Sequence, residues 1–321
     1  MRQYAPLRQV VLAATILTAG SGCDKPIPGG PAGTDPPPAA PLTTIDPAAP
    51  PHVLFQVFGE RANPRMRPLA ALVDGTVRPL ALTPAGWRTF DSLYHHEGAS
   101  YTLYQDGRAA GTVDVGRGMW SDAGAPLYAL PGCPNPTPLA AARVDAPPPA
   151  SFMVEHLASD APLSADRHRP PQRAADALGA ARGVGRRVAE AAGMRATAFA
   201  ELDFRARTVA TGSGAPTLVM SFMDPAAVTR GAGRAAYLFV LADRVGGRYV
   251  PTYTRLVRDS GSTSQYRRYV DHLDLTGDGT DELVLEGWSS GQESYMLVLQ
   301  RQRNRWVEIF RGQPSWCNGA A

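Results

Sequence analysis

The sequence predicts an α+β protein, mainly antiparallel β, built as two small β-rich modules with one or two helices packed on the C-terminal sheet. Three observations carry this expectation. Asp74-Gly75 and Asp106-Gly107 each separate two short apolar runs, and Asp-Gly supplies the positive φ that tight hairpin turns need. One long window, Gln172–Ala192, brings Ala175, Leu178, Val184, Val188 and Ala192 near one face of a helix. From Pro216 onward about seven short strands follow with brief turns, and that meander order favours an antiparallel sheet with helices on one face.

The N-terminal module is expected over 52–145. Val53–Phe58 reads as a strand, and Leu69–Val73 with Val77–Leu82 as a hairpin around Asp74-Gly75. Thr83-Pro84 fits the start of a short helix through Tyr94, with threonine as N-cap and proline at the first helical position. Ser100–Gln105 and Ala110–Val115 make a second hairpin. Leu127–Leu130 and Leu139–Val144 are candidate edge strands. Asp145 and the prolines after it break the chain, and the C-terminal module is expected over 146–321. Within it, Phe152–Leu157 is a short strand, Gln172–Ala192 a helix stopped by Gly193, and Ala196–Ala206 a second helix. Thr217–Met223, Ala235–Ala242, Tyr249–Val257, Tyr266–Leu275, Leu283–Trp288, Tyr295–Gln300 and Arg305–Phe310 are the strands of the meander.

The first residues decide the compartment. Arg2 and Arg8 precede a ten-residue apolar run, Val10–Ala19, then Gly20-Ser21-Gly22 and Cys23. This order is that of a secretory signal peptide over 1–22. Ten residues span only ~15 Å as a helix, against ~30 Å of hydrocarbon, so the run is too short to cross a bilayer. A cysteine after a small residue at the end of such a run resembles a bacterial lipobox, which implies that Cys23 is acylated and anchors the chain to a membrane. The lipobox prefers leucine three residues before the cysteine. Gly20 stands there, with Leu17 the nearest leucine, which leaves ordinary signal-peptidase cleavage open. Residues 23–51 are rich in proline, alanine and glycine and carry no apolar period, as suits an extended spacer. Ordered structure is expected to begin near His52.

Charge and rare residues exclude several functions. The formal net charge of +3 falls to +1 once 1–22 and their two arginines are removed, which leaves no field for DNA or RNA binding. Lys25, in the spacer, is the only lysine, so the folded part has no Schiff-base lysine, Ser-Lys dyad or P-loop lysine. With Cys23 acylated, Cys133 and Cys317 remain and are expected to pair in an oxidising compartment; two buried free thiols are the alternative.

One segment carries chemistry. Residues 274–282 read Asp-Leu-Thr-Gly-Asp-Gly-Thr-Asp-Glu. Asp274, Thr276 and Asp278 alternate, Gly279 allows a sharp turn, Thr280 offers a carbonyl, and Glu282 follows. Alternating oxygens wrapped by a glycine turn suit a hard cation. Asp281 should point away, although it could replace Glu282. The stretch resembles the calcium loops of FG-GAP and VCBS-type β-repeats, in which an apolar strand follows, here Leu283-Val284-Leu285. That resemblance implies a calcium ion held by Asp274, Thr276, Asp278, Thr280 and Glu282, weakly, at ~10⁻⁴–10⁻³ M, as a structural clasp. Threonine in place of Asn or Asp at the third position weakens the match. Only one copy of the loop is present, which argues against a full propeller.

Other features read as ordinary structure. His95-His96-Glu97 fits a solvated loop, because adjacent side chains diverge. His272 and Asp274 lack a nucleophile fixed beside them, Ser262 and Ser264 being near only in sequence. Arg182, Arg186 and Arg187 fit a solvated helix face. Trp87, Trp120, Trp288, Trp306 and Trp316 fit core or hairpin packing. The expectation is therefore a non-enzymatic envelope lipoprotein serving as a binding or scaffolding module, with the membrane as one partner and a protein or glycan as another. An envelope hydrolase or glycan-binding protein is the alternative.

Overall fold

The computed structural model describes residues 41–82, 84–118, 139–146, 152–163, 174–212, 214–225, 237–257, 265–289 and 294–312. The architecture is α+β and mostly antiparallel β. The first sheet contains β1 (His52–Glu60), β2 (Asn63–Val73), β3 (Thr76–Arg78), β4 (Ser100–Gln105), β5 (Arg108–Gly118), β6 (Ala140–Asp145) and β7 (Met153–Ser159). Its order is β1-β7-β4-β5-β6-β2-β3, and β1 also pairs with β2, so six strands close into a barrel and β3 extends β2. Closure leaves those six strands without a free edge. Register shifts at Leu54/Phe55, Leu103/Tyr104 and Val115/Arg117 supply the bends that closure demands. β7 lies beyond the expected module boundary at 145, yet it pairs with β1 and β4 and completes the barrel.

Both hairpin turns form as the sequence demands. Asp74 and Gly75 have φ of 49° and 68°, and Asp106 and Gly107 have 51° and 72°. Such paired positive values match the twist of the flanking strands. Val53, Phe55 and Val57 point inward along β1, where they meet Tyr101, Leu103, Val113 and Ala158. The first helix, α1 (Pro84–Tyr94), adds Phe90 and Tyr94 to this interior. Thr83, its expected cap, and Leu127–Leu130 lie outside the described residues. The ordered chain starts before His52: Thr43 forms an isolated bridge with Leu80, accepting from Ala81 N at 2.8 Å.

Beyond the barrel come α2 (Ala174–Ala191), α3 (Ala196–Ala200) and β8 (Asp203–Val209). The second predicted helix is thus half strand. Phe204 and Ala206 alternate with Arg205 and Arg207, a period of two that the alanine-rich start conceals. Then follow β9 (Thr217–Met223), β10 (Tyr237–Val245), β11 (Arg248–Val257), β12 (Gln265–Leu273), β13 (Glu282–Ser289), β14 (Tyr295–Gln302) and β15 (Arg305–Arg311). They form two four-stranded sheets, β11-β10-β9-β8 and β12-β13-β14-β15.

The molecule is layered. α2 and α3 cover one face of the β8–β11 sheet, against Leu218, Met220, Phe222, Leu238 and Val240. The opposite face, with Val219, Phe239 and Leu241, packs on Leu283, Leu285, Leu297 and Leu299 of the β12–β15 sheet. The other side of that sheet, with Val284, Met296, Val298 and Phe310, packs on Leu54, Leu72, Tyr104 and Leu157 outside the barrel. The β12–β15 sheet is therefore apolar on both faces, which is why β13 and β14 read as continuous apolar runs. Arg268 ties the two halves, donating to Glu155 on β7 (2.7 Å) and to Glu286 on β13 (3.0 Å). Asp243, buried between the two four-stranded sheets, accepts from Thr217 (2.6 Å), Thr252 (2.7 Å) and Trp306 Nε1 (2.9 Å).

Glycine inside a helix costs ~1 kcal/mol relative to alanine, and α2 contains three. Gly185 has a packing reason, since a Cβ there would stand 2.1 Å from the Phe222 ring. Gly179 would meet nothing within 4 Å, and Gly183 only Arg187 Nη1 at 3.7 Å.

Candidate metal centre at the junction of barrel and sandwich

β12 ends at Leu273 and β13 begins at Glu282, so the motif is the tight connection between two neighbouring strands. Gly277 and Gly279 have φ of 76° and 87°, the left-handed conformation that lets the chain coil back on itself. Asp274 is buried, and its Oδ2 accepts from Gly279 N at 3.1 Å. Its Oδ1 is also buried and has no hydrogen-bond partner among the described residues. Asp278 is exposed and accepts from Thr280 N at 2.8 Å.

Thr276 and Glu282 are engaged with each other. Glu282 Oε2 accepts from Leu275 N (2.8 Å) and Thr276 N (3.2 Å), and Oε1 accepts from Thr276 Oγ1 at 3.0 Å. The glutamate thus caps the turn by satisfying its backbone. Asp281 differs from expectation: it is buried, with only 1% of its surface exposed. Burial, then the charges of Asp274 and Asp278, pushes its carboxyl up to about 7. Glu282 is raised to about 7 too, by burial first, with its bonds to Thr276 and Leu275 opposing. The charges of Asp274 and Asp278 thus bear on Asp281, and that of Asp278 on Glu282 as well. Among the described residues, no group of three or more His, Cys, Asp or Glu side chains is drawn close enough to hold a metal as it stands. The buried, unpartnered Asp274 Oδ1 is the atom that fits a cation. Thr276 and Glu282 fit poorly, because each already satisfies the other.

One hairpin turn of the barrel rests on the loop and the other on the end of β12. A Cβ on Gly75 would stand 2.7 Å from Thr276 O, and one on Gly107 would stand 2.5 Å from His272 Nε2. Gly107 N donates to Asp271 Oδ1 at 3.0 Å. Asp271 is buried, and that burial raises its carboxyl to about 7 against its bonds from His272 N and Gly107 N. Tyr269 OH lies 2.6 Å from His272 Nδ1, and His272 Nε2 lies 3.8 Å from Asp281 Oδ2. Arg207 of β8 stacks over Tyr269, 4.5 Å from the ring centre, and pairs with Asp106 of the barrel. Asp281 N donates to Thr211 O at 3.0 Å. Barrel, β8 and the loop thus converge on one buried polar knot.

No protein-family model, curated protein or solved structure matches this chain. Cys23, Cys133 and Cys317 lie outside the described residues, as do Trp120, Trp316, Ser262 and Ser264. No described helix is long and apolar enough to cross a membrane. The His95 expectation needs correction. His95 is buried against Phe55 and Phe90, 3.6 Å from Asp91, while His96 and Glu97 are exposed. Trp87 and Trp306 are core residues, and Trp288 stacks on Tyr266 with ring centres 5.5 Å apart.

Proposed function

We propose that the chain is an exported, lipid-anchored binding or scaffolding protein in which the 274–282 loop holds a calcium-type ion as a structural clasp. Asp274, Asp278 and Asp281 would hold the ion, with the Thr280 carbonyl; Thr276 and Glu282 would shape the turn. The carrying observation is the position of the loop. A buried carboxylate oxygen on Asp274, without a hydrogen-bond partner among the described residues, sits in a turn against which one barrel hairpin rests at Thr276, while a second rests on the end of β12 just before it. Acidic groups buried at such a junction repel one another, and a divalent ion would neutralise them. The ion would then act on how firmly barrel and sandwich are joined. Leader and anchor rest on Arg2, Arg8, the apolar run and Cys23.

Thermal melting of the mature chain in calcium and in chelator tests the clasp. Calcium at ten times its dissociation constant should stabilise the fold by ~1.4 kcal/mol. Asp278→Ala should abolish the calcium-dependent rise in Tm while leaving the melt in chelator near that of the wild type, because Asp278 is exposed. A rise that persists in Asp278→Ala places the ion elsewhere, and no rise in the wild type removes the clasp.

A further inference from the structure

A cleft of about 1030 Å³ opens on the far side of the molecule, between α2 and the turn joining β10 to β11. Its walls carry three arginines, Arg187, Arg244 and Arg248, against one carboxylate, Asp176. The chain as a whole carries a formal net charge of only +3, so three guanidinium groups on one opening are a local concentration of charge. The three helix arginines have separate fates. Arg182 stacks over Phe204 at 4.9 Å, Arg186 reaches Glu190 at 3.7 Å, and Arg187 lines the cleft. Neither Arg187 nor Arg248 makes an ion pair among the described residues, and Arg244 donates to Gly247 O at 3.3 Å from its own turn.

The floor gives a second, independent observation. Gly179 and Gly183 line the cleft from successive turns of α2. Packing requires neither, unlike Gly185: among the described residues a Cβ at Gly179 would meet nothing within 4 Å, and one at Gly183 only Arg187 Nη1 in ordinary contact at 3.7 Å. Both weaken the helix they sit in. Their effect is to keep the cleft deep beside the arginines.

We propose that this cleft binds a ligand carrying two or more acidic groups, phosphate or carboxylate, held by the guanidinium groups of Arg187, Arg244 and Arg248. Guanidinium offers paired N–H donors that match the oxygens of both groups, and several together favour a polyanion over a single charge. On the opposite side Tyr249 OH donates to Pro216 O at 3.2 Å, which ties two of the lining segments together. The inference is independent of the clasp, because the cleft lies on α2, β10 and β11 and needs no metal.

Titration calorimetry on the full mature chain, in calcium-free buffer, tests it with inorganic pyrophosphate and with tricarballylate as probes. Saturable binding of either is expected, and the stronger of the two identifies the source as phosphate or carboxylate. Arg187→Gln and Arg248→Gln should each weaken binding at least tenfold, whereas Arg186→Gln, on the same helix but outside the cleft, should change it less than twofold. Gly183→Ala should raise Tm, by improving the helix, and still weaken binding several-fold, an outcome that a folding defect cannot imitate. Absence of binding of both probes at 5 mM, or equal loss in Arg186→Gln, overturns the proposal.

Discussion

Replacing Asp281 by asparagine asks directly whether the loop carries charge that needs neutralising. Burial first, and then the charges of Asp274 and Asp278, raises the Asp281 carboxyl from 3.8 to about 7. A folded value above the unfolded one means that the group's contribution is fully present below about pH 4 and is lost as pH rises through about 7. At pH 8 the ionised group should therefore destabilise the fold. The full displacement corresponds to ~4 kcal/mol, and water reaching the turn through exposed Asp278 reduces it to ~2–4 kcal/mol. Asparagine keeps the shape and cannot ionise. In chelator, Asp281→Asn should be more stable than the wild type by that amount at pH 8 and within ~1 kcal/mol of it at pH 4. Asp271 and Glu282 titrate in both proteins, so their contributions cancel in the comparison. Urea denaturation at the two pH values measures the difference. If Asp281→Asn is the less stable protein at pH 8, the reasoning fails: the carboxylate is then stabilised as an ion, with His272 Nε2 at 3.8 Å its partner.

Two further substitutions probe the packing. Gly185→Ala gains helix propensity but drives a Cβ to within 2.1 Å of the Phe222 ring, so it should lose ~1–3 kcal/mol in urea denaturation, and a gain would mean that α2 can lift off its sheet. Trp306→Phe removes the Nε1 donor that meets buried Asp243 at 2.9 Å and should cost ~1–3 kcal/mol, with a smaller loss if Thr217 and Thr252 suffice for that carboxylate.

What could be read from the sequence was local. The two Asp-Gly turns, α2 and the strands after Pro216 each carry their own signal in a few residues. The closed barrel did not, because β1 finds β2 through a short turn but finds β7 across about a hundred residues, and no local period encodes that partner. The unbroken apolar runs Leu283–Leu285 and Met296–Leu299 held information that alternation hides. They mark strands covered on both faces, and so a third layer. At the site, Asp274 and Glu282 were legible as oxygen-bearing side chains of one turn, but not that Glu282 is taken up by Leu275 and Thr276. Asp281 was not, since it stands just before β13, where strand alternation does not yet fix direction. His95 directly follows α1, and only the closed barrel explains why it is buried.

The β12–β15 sheet serves as a party wall. Taking it away would leave Leu54, Leu72, Tyr104 and Leu157 of the barrel in water on one side, and Val219, Phe239 and Leu241 on the other. Neither neighbour can therefore open alone at low cost, and the chain should lose its structure in a single cooperative step despite its several sheets. Fragments ending before residue 265 should be insoluble, and a protease should cut the spacer and loop tips long before it divides the molecule into durable halves.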